Sequence, residues 1–81
     1  MNIITVDYFP KMHRINFLDT NGMACGGIMG DRAHVKAAEL MLSNHAIVRI
    51  CGINSKMNKR LNKARSHGKT DAILKSLNIK S

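Results

Sequence analysis

The sequence predicts an α+β domain: a three- to four-stranded, mainly antiparallel sheet packed on one helix, followed by a basic helix pair, in the order β-β-β-α-β-α-α. Three observations predict it. Residues 2 to 9 and 12 to 18 alternate apolar and polar side chains at the two-residue period of strands. Asn21-Gly22 follows the second of these runs with the composition of a hairpin turn. Two later segments, 32 to 44 and 55 to 67, place apolar residues at helical spacing. At 81 residues the chain suits a single domain, 1–81, because a chain of this size buries only roughly 60–65% of its unfolded surface and cannot divide that between two cores.

In the first run, "NIITVDYF", Ile4, Val6 and Tyr8 fall on one face, with Thr5 and Asp7 on the other. Pro10 ends it, since proline cannot donate to a ladder. In "MHRINFL", Ile15 and Phe17 share a face opposite Arg14 and Asn16. A type I′ turn at Asn21-Gly22 needs positive φ at both residues, which both tolerate. The next run, "MACGGIMG", reads as a glycine-weakened strand, with Gly26 and Gly27 permitting a bulge or a close backbone approach.

Asp31 is a suitable N-cap for "RAHVKAAELMLSN". On a helical wheel Val35, Ala38, Met41 and Leu42 group together with Ala37 beside them, while Arg32, Lys36 and Glu39 make a narrow polar edge. "AIVRICGI" is nearly continuous and β-branched, the pattern of a strand interior to the sheet. From residue 55 a helix is expected, with Gly68 at its C-cap and Thr70-Asp71 starting another whose apolar face is Ile73, Leu74 and Leu77. With only Tyr8, Phe9 and Phe17 as aromatics, the core is expected to hold these three among aliphatic side chains.

Charge is unevenly placed. Residues 1–54 carry five Lys or Arg against Asp7, Asp19, Asp31 and Glu39, a net of +1, whereas residues 55–81 carry eight against Asp71, a net of +7. A near-neutral core, 1–54, joined to a basic helical part, 55–81, reads as a scaffold presenting a surface to an anionic partner. On a helix Lys56, Lys59, Arg60, Lys63 and His67 fall within about 100° of one another, with Met57, Leu61 and Ala64 as a narrow apolar seam beside them. Arg65 points away from that stripe, and Lys69 lies just beyond it. Lys56, Lys59, Arg60, Lys63, Arg65, His67 and Lys69 are therefore the candidate contacts to nucleic acid or another anionic partner, with Asn58, Asn62 and Ser66 alongside as hydrogen-bond donors. The alternative is a solvated helix whose lysines serve solubility. Rings for base stacking are scarce, which favours backbone contact over base readout.

Other motifs are weaker. "GMACGGIMGD" precedes a helix but lacks the G-x-G-x-x-G spacing, and "SHGKT" has Lys63 where a phosphate loop needs its first glycine. Cys25, His34, His45 and Cys51 lack the paired spacing of structural zinc sites, so no metal or cofactor is expected. The cysteines read as small buried hydrophobes and His34 as a packed residue. Cys25 with His34 or His45 is the one candidate catalytic dyad; without paired acids or a second base the expectation is a non-enzyme. The start "MNIITVDYFPK" lacks the features of a signal peptide, and "HAIVRICGI" is too short to span a bilayer. A soluble, cytoplasmic protein with free thiols is expected.

The span from "HRINFLDTNGMACGGIMG" through "DRAHVKAAELMLSNHAIVRICGIN" resembles the hairpin, helix and strand layout of some small phage-encoded anti-CRISPR proteins, in its "NG" turn, Ala-rich helix and closing apolar strand. That resemblance implies a non-enzymatic inhibitor acting on a nucleoprotein complex of the host, in the host cytoplasm. Many such proteins are acidic mimics of nucleic acid; the +8 charge departs from this, so a basic member would bind nucleic acid itself or an acidic protein patch. "GGIMGDRAHVKAAELML" separately looks like the closing strand-to-helix half of a double-stranded-RNA-binding domain, with Arg32 and Lys36 at basic positions, although Asp31 and Glu39 depart from it and that family's N-terminal helix has no counterpart. Together these readings point to a small basic binding protein that engages nucleic acid or a nucleoprotein complex. The competing class is a protein-interaction inhibitor that works through the sheet or the 32-to-44 helix.

Overall fold

The structure, a computed structural model, describes residues 4–79. Strands β1 (Ile4–Phe9), β2 (Arg14–Leu18) and β3 (Ala24–Met29) are followed by helix α1 (Asp31–Met41), strand β4 (Ala46–Ile50) and helices α2 (Ser55–Arg65) and α3 (Thr70–Ser76). The expected element order and the α+β class are observed. The four strands form one mixed sheet in the order β3-β2-β1-β4, antiparallel except for the β1–β4 pair. This corrects the interior placement of β4, which lies at the sheet edge.

Register explains which side chains face the helices. Val6 and Tyr8 on β1 stand beside Phe17 and Ile15 on β2 and beside Val48 and Ile50 on β4. These point to one side of the pleat, and Thr5, Asp7, Arg49 and Ile47 to the other. Val6, Tyr8 and Ile15 are fully buried, while Ile47 is 53% exposed. Phe9 belongs to the outer face, opposite Arg14, and is half-buried there, so the expectation of three core aromatics holds fully only for Tyr8. Ile4, expected inward, is also exposed. On the outer face Asp7 accepts two hydrogen bonds from Arg49, of 2.6 and 3.0 Å, an ion pair across the parallel register.

The β2–β3 turn differs from the expected type I′. Only Gly22 has positive φ, 79°. Gly22 N–H closes a β-turn on the carbonyl of Asp19, and the Asp19 carboxylate accepts from the N–H groups of Asn21 and Met23. This three-residue connection, a β-turn followed by a left-handed glycine, leaves Asn21 free of strain. The anticipated irregularity near Gly26 is present, with Phe17 opposite Gly26 and Leu18 opposite Ala24. At Gly27 a Cβ would stand 2.7 Å from the Ile15 carbonyl oxygen, so only glycine lets β3 approach β2 there.

Helix α1 is capped by Gly30 and starts at Asp31, one residue earlier than expected. Its buried face is Ala33, His34, Ala37, Ala38 and Met41; Val35, placed inward by the wheel, is 45% exposed. Three alanines let the helix lie close to the sheet, and His34 fills the space over Tyr8. One hydrophobic cluster joins Tyr8, Ile15, the α1 alanines and Met41 to Leu61, Ala64, Ile73, Leu74 and Leu77. Residues of both the near-neutral and the basic parts thus share it. Among the described residues no helix is long and apolar enough to cross a membrane.

Candidate nucleic-acid interface

Helix α2 contains no β-branched residue, so its backbone propensity is good. The Asn54 side chain caps it, accepting the Met57 N–H at 2.8 Å, and Gly68 closes the following turn in the left-handed region. Four Lys or Arg pairs at i,i+3 or i,i+4 (56–59, 56–60, 59–63, 60–63) cost about 1 to 2 kcal/mol. Burial of Leu61 alone, worth about 1.5 to 3 kcal/mol, offsets that. The seam expected from the sequence is present, with Leu61 and Ala64 buried and Met57 half-buried against the core. Helix α2 packs mainly on α3, and α3 on α1. The cationic side of α2 is left open.

Helix α2 ends at Arg65 with Ser66 at its C-cap, two residues short of the expected end, so Lys56, Lys59, Arg60 and Lys63 are exposed on that side of the helix and His67 is exposed in the turn beyond it. Arg65 lies round the helix from them and is half-buried, and Lys69 is exposed at the N-cap of α3. Among the described residues the one ion pair is Asp7–Arg49. Asp71, the sole acid of residues 55–81, therefore neutralises none of the stripe by direct contact. Of the expected flanking donors, Ser66 turns its hydroxyl to the Lys63 carbonyl at 2.6 Å, and Asn58 and Asn62 are exposed.

The structure adds a feature that the single-helix reading lacked. An open groove of about 380 Å³ runs between α2 and α3, lined by Arg60, Lys63, Ala64 and His67 from one side and Ala72, Lys75 and Ser76 from the other. Lys75 is a cation that sequence reasoning left out of the site. The signal was there in Ala72 and Lys75, three residues apart on one face, but only the packing of α3 on α2 turns that face toward Arg60.

The other candidates are not assembled. Cys25 is exposed on β3, its thiol donating to the Phe17 carbonyl, and Cys51 is partly exposed, so neither is the buried hydrophobe expected. Both ring nitrogens of His34 are engaged by Tyr8 and His13, which leaves none for Cys25. Among the described residues no three His, Cys, Asp or Glu side chains are grouped to hold a metal ion.

Compared with protein-family models, curated proteins and solved structures, the chain matches none.

Proposed function

We propose that the protein is a non-catalytic binder of nucleic acid, free or within a nucleoprotein complex, and that the cationic side of α2 is its contact surface. The observation that carries this reading is a set of four Lys or Arg exposed on a single face of α2, with His67 exposed in the turn just beyond it, and without an ion-pair partner among the described residues. Such a face repels itself in the free protein and is relieved by phosphates, whose bound counterions it releases. An inhibitor of a host nucleoprotein machine, as the anti-CRISPR resemblance implies, is the biological form this function takes in our reading.

A second reading is supported by the uncovered face of the sheet, where Ile47 and Met29 are exposed at opposite edges. There the protein would inhibit a protein partner and the basic helices would be secondary. Replacing Lys59, Arg60 and Lys63 by Ala tests the two together. The first reading predicts loss of binding to mixed-sequence nucleic acid at low salt with the fold intact. Unchanged binding to a host complex, abolished instead by Ile47→Asp, would establish the second.

A further inference from the structure

The groove between α2 and α3 narrows the class of ligand, on the premise that the cationic face binds nucleic acid at all. A stripe on one helix meets any polyanion. A shallow groove lined by basic side chains from both helices suits a ridge of charge, and Ala64 and Ala72, which also line it, offer methyl groups to the apolar side of a sugar. Within α2, from Lys56 to Lys63, the stripe rises seven residues, about 10 Å at 1.5 Å per residue, with His67 just beyond the helix end. That is the axial length of about three phosphates on one strand of a duplex.

The choice between paired and unpaired strands follows from what the surface lacks. All three aromatic residues stand in the first 17 positions, with Tyr8 buried and Phe9 and Phe17 half-buried on the sheet. An unpaired strand therefore forgoes stacking, worth about 1 to 3 kcal/mol per base, and retains only its backbone charge. That charge is also less rewarding, since each neutralised phosphate contributes about 0.7 to the salt slope on a single strand and about 0.9 on a duplex. In a duplex the bases turn inward, and the strand presents the ridge that the groove accepts.

We propose that the α2–α3 groove seats one phosphodiester strand of a double-stranded nucleic acid, its phosphates held between Lys75 on one wall and Arg60, Lys63 and His67 on the other. Backbone contact makes the binding independent of base sequence.

The test uses the full chain with labelled DNA and RNA duplexes of mixed sequence, the matching single strands, and polyglutamate as an acidic-protein surrogate, at low salt. The proposal expects one or both duplexes to bind at least about tenfold more tightly than the single strands, and their relative affinity identifies the natural source. Lys75→Ala should weaken duplex binding about three- to tenfold and reduce the salt slope by about 1. Ala72→Leu, which adds bulk to the groove lining, should weaken it comparably, and Lys36→Ala on α1 should not. Equal binding of single and double strands, Lys75→Ala indistinguishable from Lys36→Ala, or polyglutamate binding as tightly as duplex would overturn the groove assignment. Absence of binding to every nucleic acid would instead overturn the broader reading on which it rests.

Discussion

Nε2 of the buried His34 lies 2.7 Å from Nδ1 of the exposed His13, and on its other side Nδ1 of His34 bonds the hydroxyl of Tyr8. Directions follow from hydrogen count. The Tyr8 hydroxyl is fully buried and has no other partner among the described residues, so it donates to His34 Nδ1. His34 Nε2–H then donates to His13. The chain of bonds runs from the C-terminal end of β1 through α1 to the surface. His13 reaches it from an unusual left-handed backbone, φ 52°, and its carbonyl accepts the Gly30 N–H at 2.7 Å just before α1 begins. This network is what permits a histidine, 1% exposed, on the buried side of an Ala-rich helix.

Removing the Tyr8 hydroxyl leaves His34 Nδ1 buried without a partner. Tyr8→Phe is therefore expected to destabilise the fold by about 1 to 3 kcal/mol, read as a lower urea midpoint at unchanged slope. An unchanged midpoint would mean that the hydroxyl contributes nothing.

Acid should weaken the same contact. Burial, and secondarily the neighbouring His13, hold the His34 imidazole below its ordinary value, opposed by Asp31; burial likewise pushes the Tyr8 phenol well above its own. Because the folded state resists a proton that the unfolded chain accepts near pH 6.5, the stabilisation from neutral His34 is complete above that pH and lost as pH falls below it. Urea midpoints at about pH 7.5 and about pH 5.5 should differ more for the native sequence than for His34→Gln. An equal difference would remove His34 as the cause.

Close approach of β3 to β2 makes a third expectation. Gly27→Ala would bring a Cβ to 2.7 Å from the Ile15 carbonyl oxygen, whereas at Gly26 the nearest atom is 4.0 Å away, in the Phe17 ring. Thermal melting should show a loss of several degrees for Gly27→Ala, corresponding to about 1 kcal/mol or more, and little for Gly26→Ala. Equal effects would contradict the close-contact explanation.

These residues also mark what the sequence made legible. The α2 face could be read because its period, its Met57-Leu61-Ala64 seam and its lack of acids agree within one segment. His34, read from the sequence as a packed residue, is indeed buried, but the wheel grouped Val35 rather than His34 with Ala38 and Met41, and the partners that hold His34 lie 26 and 21 residues away, beyond any local pattern. For β4, a β-branched run looks the same whether interior or at an edge with Ile47 turned outward. At the hairpin, the Asp19 carboxylate selected a turn in which Asn21 needs no positive φ. Lys75 joins the groove only through helix packing, which no single-segment pattern contains.

The most direct measurement is the salt dependence of full-length binding to a mixed-sequence duplex. With most of the α2 stripe meeting phosphates, log affinity against log salt should fall with a slope of about −4. A slope near zero, or no binding at low salt, would contradict the assignment of this face to nucleic acid.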